Sequence, residues 1–424
     1  MPILPRTFRW FASNKIVAND ASSNREPTIT PPSAGCDMCS KITDLLDISS
    51  LKDKGEETIQ LGEVDQLLAV DCPHVTWLRD MRFFNRPLPS FKNCNLSFSW
   101  LPGFGWCYFH LIKQGSTWTK STYFDLAFRP EISKHHGTIR ILDSSWIDLD
   151  LIKHWISRCS HCHMEYCDKT IGDVPSFRPQ LLINVVQGCV TECQETNPRF
   201  VTLSYTWGQS KNFRVIKSNV KEMQKPGALI SDQILAQLPA TVLDAINLTK
   251  ALGETWLWID SLCIVQDDQD CLKRELAAMH RIYATSFLTI VAGDGLDAEY
   301  GLRGFKGISK PRTINQVVLP FPNGVKIARM GELRSNIQET EGFSYYQRMW
   351  TAQEYDFSKR RLIFVNGEVK WECNYTKWTE NRVDQPDEGP RETSNDHYIG
   401  HRAAMKVPSL GRLGILIRRF NEKA

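Results

Sequence analysis

Residues 200–292 alternate short apolar runs with amphipathic segments, and this alternation constrains the fold more than any other feature of the sequence. The runs 200–205, 256–259 and 287–292 are too short for buried helices and rich in β-branched or aromatic residues, so each predicts a buried strand. Between them, residues 238–252 and 270–283 place apolar side chains at helical spacing. This order of strands and helices predicts an α/β fold with a parallel sheet and flanking helices.

The ends of these predicted strands are where a binding site is expected, because ligands of open parallel sheets bind beyond the carboxyl ends of the strands. The sequence places Ser204 to Gly208, Asp260 and the loop after Ala292 at these ends. Farther along the chain, residues 361–371 predict a β-hairpin, since the Asn366–Gly367 pair favours a type I′ turn.

Local signals predict how the two helices begin. Pro239 suits the start of the first helix, and Thr241 and Asp244 have the spacing of a capping box. Asp270 is the predicted N-cap of the second helix. Glu275 is predicted to be a solvent-exposed residue of that helix.

Charge balance and length limit the functional class. The chain has 424 residues and carries 51 Lys and Arg against 48 Asp and Glu, scattered along the sequence, so nucleic acid is not an expected partner. More than one domain is expected at this length. No apolar run reaches the ~18 residues that span a bilayer, and the start lacks a secretory apolar region. The sequence thus predicts a soluble, cytoplasmic protein without a transmembrane segment.

Shifts in composition divide the chain into four predicted regions. Residues 1–35, rich in Ser, Pro, Asn and Thr, are expected to form a flexible arm. Residues 36–174 contain most of the cysteines and short apolar runs, and they predict an irregular or β-rich leader region of unknown fold. The regular pattern falls within 175–375, and 376–424 has the composition of a linker followed by a basic tail.

Five short motifs in the regular region resemble the successive blocks of the heterokaryon incompatibility (HET) domain, a fungal module of non-self recognition and programmed cell death. In chain order the motifs lie at residues 203–208, 238–246, 257–268, 275–283 and 348–354. Each motif alone is weak, but all five follow the family's order and spacing. Met349 and Ala352 stand where the family commonly carries Gly and Phe. The resemblance implies self-association, or another incompatibility protein, as the partner.

HET domains are in turn similar to TIR domains, which implies a flavodoxin-like parallel sheet and, in some members, hydrolysis of NAD by a glutamate. As in TIR domains, Ser204 and Tyr205 close the first predicted strand, and Trp350 precedes Glu354 by four positions. On a helix this spacing places the ring beside the carboxylate. The resemblance implies Glu354 as the catalytic residue and NAD as a substrate. The residues implied to bind NAD are Ser204, Tyr205, Trp207, Gly208, Asp260, Arg348 and Trp350.

These residues also have structural interpretations, which the sequence leaves open. Glu354 can pair with Arg348 or Arg360, and Asp260 can cap the following helix instead of contacting a ribose. Two functions therefore remain: an NAD-consuming enzyme activated by oligomerisation, and a non-enzymatic module that signals through homotypic contacts. The spacing from Trp350 to Glu354 favours the enzyme, whereas the lack of a Gly-rich phosphate loop weighs against it.

Cysteines outside the strand and helix pattern offer soft metal ligands. The Cys36–Cys39 and Cys159–Cys162 pairs both have C-x-x-C spacing, and His163 and Cys167 add further candidate ligands. One zinc ion can join the two pairs if their segments meet in space. The spacing matches no standard zinc finger, and a docking element with free thiols is the alternative, so no metal is assigned.

Overall fold

The structure is a computed structural model that describes residues 35–47, 55–79, 93–101, 105–117, 119–130, 137–168, 177–195, 197–208, 213–330, 345, 354–383 and 385–389. These residues form two β-sheets with helices packed against them, which makes the protein a mixed α/β structure. The predicted flexible arm, apart from its last residue, and the predicted basic tail lie outside the described residues.

Helices and strands are numbered here in chain order within the described residues. The helices are α1 (Asp37–Leu45), α2 (Val64–Leu68), α3 (His74–Arg79), α4 (Leu149–Cys162), α5 (Met164–Cys167), α6 (Val220–Met223), α7 (Asp232–Leu235), α8 (Ala240–Ala251), α9 (Asp260–Cys263) and α10 (Gln269–Thr285). The strands are β1 (Glu57–Glu63), β2 (Cys94–Leu101), β3 (Trp106–Lys113), β4 (Thr119–Leu126), β5 (Leu181–Asn184), β6 (Cys189–Glu192), β7 (Phe200–Ser204), β8 (Trp256–Trp258), β9 (Leu288–Ala292), β10 (Gln316–Pro320), β11 (Lys326–Met330), β12 (Arg360–Val365), β13 (Glu368–Cys373) and β14 (Lys377–Thr379). None of the helices in the described part of the chain combines the length and apolar composition needed to cross a membrane.

The smaller sheet has six strands in the order β1-β2-β3-β4-β11-β10, and every neighbouring pair is antiparallel. Its buried side chains, among them Phe98 and Phe109, pack with Ile42 of α1 and Trp77 of α3 in a core of their own. The sheet is completed by β10 and β11, which come from the second half of the predicted regular region. The leader region therefore shares its sheet with a segment about 200 residues later in the chain, a pairing that local periodicity does not encode.

The larger sheet has eight strands in the order β14-β13-β12-β9-β7-β8-β5-β6. The four central strands β12, β9, β7 and β8 run parallel, which confirms the parallel arrangement predicted for the three apolar runs. The sheet as a whole is mixed rather than parallel, because the β5–β6 hairpin pairs with one edge and β13 and β14 extend the other. The sequential antiparallel pairs β5–β6, β12–β13 and β13–β14 are joined by short connections, so they need no crossover helix.

The core of the larger sheet extends beyond the predicted regular region at both ends. It takes in Ile147, Ile152 and Trp155 on the amino-terminal side, where α4 packs, and Trp378 of β14 on the carboxyl-terminal side. Residues 149–167 therefore belong to the larger sheet rather than to the smaller one, and β14 occupies part of the predicted linker.

The first predicted helix begins after Pro239 as expected, but Thr241 and Asp244 do not form a capping box. The Oγ1 of Thr241 accepts a hydrogen bond from the backbone N–H of Gly301 (3.1 Å), and Oδ2 of Asp244 accepts one from Leu302 (2.9 Å). Both side chains therefore hold the segment after β9 onto α8, and this tertiary contact replaces the local one.

The second predicted helix, α10, is capped by Asp268 instead of Asp270. The Oδ1 of Asp268 accepts hydrogen bonds from the backbone N–H groups of Asp270 (3.2 Å) and Cys271 (3.4 Å). The helix therefore starts two residues earlier than the sequence suggested, with Asp270 in its first turn.

The predicted hairpin is confirmed as β12 and β13. Asn366 and Gly367 both have positive φ, 59° and 71°, as a type I′ turn requires. A Cβ atom on Gly367 would lie 2.2 Å from the carbonyl oxygen of Thr313, so the turn also needs a glycine for space.

Candidate functional site

The parallel strands bring two of the predicted site residues to one edge of the larger sheet. Ser204 is the last residue of β7, and Asp260 follows the neighbouring strand β8 as the first residue of α9. Because β7, β8 and β9 run in the same direction, their carboxyl ends lie at the same edge. This edge is where α/β proteins of this kind bind ligands.

Glu354 lies against Ser204 at this edge. It lies in the helical stretch 354–357, is only 7% exposed, and its Oε2 accepts a hydrogen bond from the Oγ of Ser204. The hydroxyl of Tyr345 lies 2.7 Å from the same Oγ. A buried carboxylate thus accepts from one hydroxyl group, which in turn contacts a second.

Tyr283 of α10 lies close enough to Glu354 and Asp260 to feel the charge of both. Its hydroxyl donates to the carbonyl oxygen of Leu203 (3.0 Å), and its ring packs edge-on against Trp258. Burial raises the pKa of Tyr283 well above its usual range, and the negative charges of Glu354 and Asp260 raise this pKa further. Both carboxylates therefore act on one phenol, which keeps its proton at neutral pH.

Asp260 is held by the predicted site residue Trp207. The indole Nε1 of Trp207 donates to both carboxylate oxygens of Asp260, at 3.1 and 3.0 Å, and the backbone N–H of Ser261 donates to Oδ1 at 2.7 Å. The guanidinium of Arg214 lies over the indole ring, 4.8 Å from its centre. Trp207 is half-buried, so one part of this arrangement faces solvent.

Tyr205 and Gly208 belong to the loop that follows β7 at this edge. The hydroxyl of Tyr205 donates to the Oγ of Ser261 (3.1 Å), which fastens the loop to α9. Gly208 has a φ of 68°, and a Cβ atom there would lie 2.2 Å from the Cβ of Asp297. The loop therefore approaches the segment after β9 too closely for any other residue.

The third predicted location is the loop after Ala292, and its residue Asp294 holds a neighbouring turn. Asp294 accepts hydrogen bonds from the backbone N–H groups of Asn366 (2.6 Å) and Gly367 (2.9 Å), the turn of the β12–β13 hairpin. Burial raises the pKa of Asp294, although these two hydrogen bonds lower it. Its carboxylate is thus used to hold the turn.

The remaining predictions concern Arg348, Trp350 and the possible ion-pair partners of Glu354. Arg348 and Trp350 lie outside the described residues, as do Met349 and Ala352. Arg360 pairs with Asp168 and not with Glu354, so one structural alternative for Glu354 is not observed.

The prediction that Glu275 is solvent-exposed was wrong. Its side chain is 1% exposed, and burial raises its pKa despite the neighbouring Arg274. The error arose because Glu275 faces inward from α10 although charged residues flank it in the sequence.

Tyr283 and Tyr345 are the described site residues that sequence reasoning missed. Tyr283 was assigned only to the apolar face of its helix, where its spacing with Met279 fits a core position. The only available signal was its hydroxyl, because a buried tyrosine usually needs a hydrogen-bond partner.

The cysteines proposed as ligands of one shared zinc ion do not lie together. Cys36 and Cys39 belong to a cluster completed by Cys72 and His74. Cys159 belongs to a separate cluster with His163, Cys167 and Cys373, whereas Cys162 is exposed and lies outside both. A single metal ion joining the two C-x-x-C pairs is therefore wrong in its geometry, because Cys39 and Cys159 converge with different partners and Cys162 is exposed.

The chain was compared with curated proteins, with solved structures and with protein-family models. Comparison with curated proteins found no match, and neither did comparison with solved structures. A family model does match, and the segment that it covers includes the Ser204, Asp260 and Glu354 positions described above. Residues 200–354 of this chain match the model of the family described as heterokaryon incompatibility protein (HET).

Proposed function

We propose that this protein acts in heterokaryon incompatibility as a cell-death effector that hydrolyses NAD at Glu354. The HET match suggests the biological role. The observation that supports the chemistry is the placement of the Glu354 carboxylate on Ser204, at the same sheet edge as Asp260. The central parallel strands also support a TIR-like relationship, because their order in space (second, first, third, fourth along the chain) is that of flavodoxin-like sheets.

The proposed reaction breaks the bond between nicotinamide and ribose. The bonding electrons pass to the ring nitrogen, so the cationic nicotinamide leaves as a neutral molecule without needing a proton. The ribosyl carbon becomes oxocarbenium-like, and the Glu354 carboxylate stabilises this positive charge. Water then adds to the carbon and gives up its proton, with Glu354 as the base, so the products are ADP-ribose, nicotinamide and a proton.

Neighbouring groups have supporting roles in this proposal. Ser204 and Tyr345 hold the Glu354 carboxylate in one orientation. Asp260, fixed by the indole of Trp207, accepts a hydrogen bond from a ribose hydroxyl. Trp350 is proposed to cover the nicotinamide ring, as its four-residue spacing from Glu354 implies.

A non-enzymatic module that signals through homotypic contacts is the second candidate. The burial of Glu354 favours it, since a carboxylate that is 7% exposed and bonded to a strand-end serine also suits a purely structural role. The two candidates share the cell-death role and differ in whether NAD is consumed.

The test is inducible expression of the full chain in a heterologous host, followed by measurement of cellular NAD, together with nicotinamide release by the purified protein. Glu354→Gln keeps the shape of the side chain and removes its charge, so NAD consumption should fall by about 10²-fold or more. Glu275→Gln is the matched control, because it makes the same change at a buried glutamate of α10 that is bonded to Arg274 and to the backbone of Gln180. It should leave NAD consumption unchanged.

The outcome separates the candidates. If the wild-type chain and Glu354→Gln are equally toxic and neither depletes NAD, the enzyme proposal is wrong and the interaction module stands. If Glu354→Gln and Glu275→Gln reduce NAD consumption equally, the effect comes from loss of buried charge in general and not from catalysis.

A further inference from the structure

Two clusters of three cysteines and one histidine lie in different parts of the described structure. The first comprises Cys36, Cys39, Cys72 and His74, and the second comprises Cys159, His163, Cys167 and Cys373. Within each cluster the four candidate ligand atoms lie within 4.8 Å of one another. All the members are buried except Cys36, which is half-buried. Such a convergence of soft ligands is unusual for thiols that have only a packing role.

We propose that each cluster binds one zinc ion in a closed, structural site. Bond lengths of about 2.3 Å to sulfur and about 2.0–2.1 Å to nitrogen, at tetrahedral angles, imply S···S separations of about 3.8 Å and S···N separations of about 3.6 Å. In the first cluster, Cys39 Sγ lies 3.8 Å from Cys72 Sγ and 3.6 Å from Nδ1 of His74. In the second cluster, Cys373 Sγ lies 3.6 Å from Nδ1 of His163. These three distances match the edges of a tetrahedron around zinc, and Cys36 Sγ lies somewhat closer to Nδ1 of His74, at 3.2 Å.

The two histidines are oriented in the same way, although they lie in unrelated elements. Each directs Nδ1 into its cluster, while Nε2 faces an oxygen outside it. Nε2 of His74 donates to the carbonyl oxygen of Leu67 (2.9 Å). Nε2 of His163 lies 3.2 Å from Oδ2 of Asp387, close enough for an ion pair though not aligned as a hydrogen bond. An outer oxygen that holds the proton on Nε2 leaves the Nδ1 lone pair free for a metal, as in known zinc sites.

Charge in the second cluster also fits a metal thiolate centre. Three thiolates, a neutral imidazole and Zn²⁺ carry a net charge of about −1. The Nε of Arg360, whose side chain is 1% exposed, donates to Cys159 Sγ at 3.3 Å. A buried guanidinium needs anionic partners, and it has two here, the cluster and Asp168.

The donor set indicates which metal is bound and what it does. Three thiolates and one imidazole in a tetrahedron suit zinc better than the oxygen-preferring cations. Four protein ligands leave no open position for water or substrate, so the sites are structural rather than catalytic. The first zinc fastens α1 to the start of α3. The second joins α4 and α5 to the end of β13, about 210 residues later in the chain.

This inference is independent of the proposed function and is tested on the full-length chain by elemental analysis. The purified protein should contain two zinc ions per chain. Cys72→Ser and Cys373→Ser should each contain one, because each removes a ligand from one cluster only. Cys162→Ser is the matched control: it changes an exposed cysteine next to His163 that belongs to neither cluster, and it should retain two zinc ions.

Loss of a structural zinc can prevent folding, so a second measurement uses the wild-type chain alone. Protein prepared with Co²⁺ in place of Zn²⁺ should show the visible absorption of tetrahedral cobalt thiolate centres, with two cobalt ions per chain. A folded wild-type chain with only trace zinc and no such absorption would overturn the proposal. If the wild-type chain holds one ion and only one of the two variants loses it, the cluster changed in the other variant does not bind zinc.

Discussion

The two sheets differ in how their strands are covered. In the smaller sheet, β3 alternates buried and more exposed residues, and Trp106 and Ile112 reach solvent. In the larger sheet, every residue of β7, β9 and β12 is buried. When both faces of a strand are covered, its polar side chains cannot reach solvent, so they need hydrogen-bond partners within the protein.

The difference explains why the candidate site lies on the larger sheet. Thr202 and Thr289 bond each other there at 2.8 Å, and Thr289 bonds Ser358 at 2.6 Å. Ser204, the next residue on the same face of β7, bonds Glu354 instead. A buried row of hydroxyl groups thus ends in a carboxylate at the carboxyl edge of the sheet. In the half-exposed smaller sheet, polar side chains such as His110 and Ser121 pair closer to solvent.

The largest expected effect follows from an ion pair beside the larger sheet. Arg312 pairs with Glu380, both almost fully buried, and Arg312 also donates to the carbonyl oxygens of Asp143 and Trp146. Arg312→Met leaves Glu380 buried without its partner, so the free energy of unfolding should fall by about 3–5 kcal/mol. Urea unfolding followed by tryptophan fluorescence measures this change.

The matched control is the ion pair that contacts the smaller sheet. Arg382 lies 2.5 Å from Asp125 of β4, but the Arg382 side chain is 34% exposed. Arg382→Met should cost only about 1 kcal/mol, because the partly exposed Arg382 is already solvated and Asp125 keeps the hydrogen bond from the Oγ1 of Thr138. Equal losses in the two variants would show that burial does not distinguish the two sheets.

A smaller effect is expected from two glycines with nearly the same backbone angle. Gly208 of the candidate site has a φ of 68°, and its Cβ position meets Asp297 at 2.2 Å, whereas Gly115 in the β3–β4 turn has a φ of 69° and nothing within 4 Å. Gly208→Ala should lower the free energy of unfolding by about 2–4 kcal/mol, from backbone strain and steric overlap together.

Gly115→Ala carries only the backbone strain, about 1–2 kcal/mol. Subtracting its effect from that of Gly208→Ala isolates the close approach of the two loops at the candidate site. If the two variants unfold at the same urea concentration, the loops are not held together as the structure shows.

The sequence predicted local features well and distant partnerships poorly. The three parallel strands and the type I′ turn at Asn366 and Gly367 depend on neighbouring residues, and both are confirmed. The capping box at Thr241 was wrong because a segment 60 residues away competes for its hydroxyl. The pairing of β11 with β4 has no local signal either.

The candidate site shows the same division. Ser204 closes one predicted strand and Asp260 follows the next, so their shared edge was predictable from the parallel arrangement. Glu354, 150 positions after Ser204, was suggested only by a family resemblance. Tyr283 was predicted as core, since periodicity shows which face is buried but not which hydroxyl meets which carboxylate.

The smallest expected effect concerns the pH dependence that buried carboxyl groups give to the larger sheet region. Burial raises the pKa of Asp244 on α8 from 3.8 to about 6, although the hydrogen bond from Leu302 and the charge of Lys310 lower it. Because the folded state binds this proton more tightly than the unfolded state, Asp244 favours folding at low pH, and this contribution is lost as pH rises from about 4 to about 6. Asp244→Asn keeps an acceptor for the Leu302 N–H without a charge. At pH 7 it should therefore be more stable than wild type by about 1–3 kcal/mol.

Urea unfolding of both proteins between pH 4 and pH 7 measures this difference directly. The advantage of Asp244→Asn should be greatest at pH 7 and small near pH 4, where folded wild-type Asp244 is protonated and the same group in the unfolded chain is partly protonated. Asp143 provides a control of opposite sign, because hydrogen bonds from the backbone N–H groups of Ser145 and Trp146 lower its pKa. Asp143→Asn should therefore be less stable than wild type at neutral pH. A constant difference between Asp244→Asn and wild type across this range would mean that burial on α8 does not raise the pKa of Asp244.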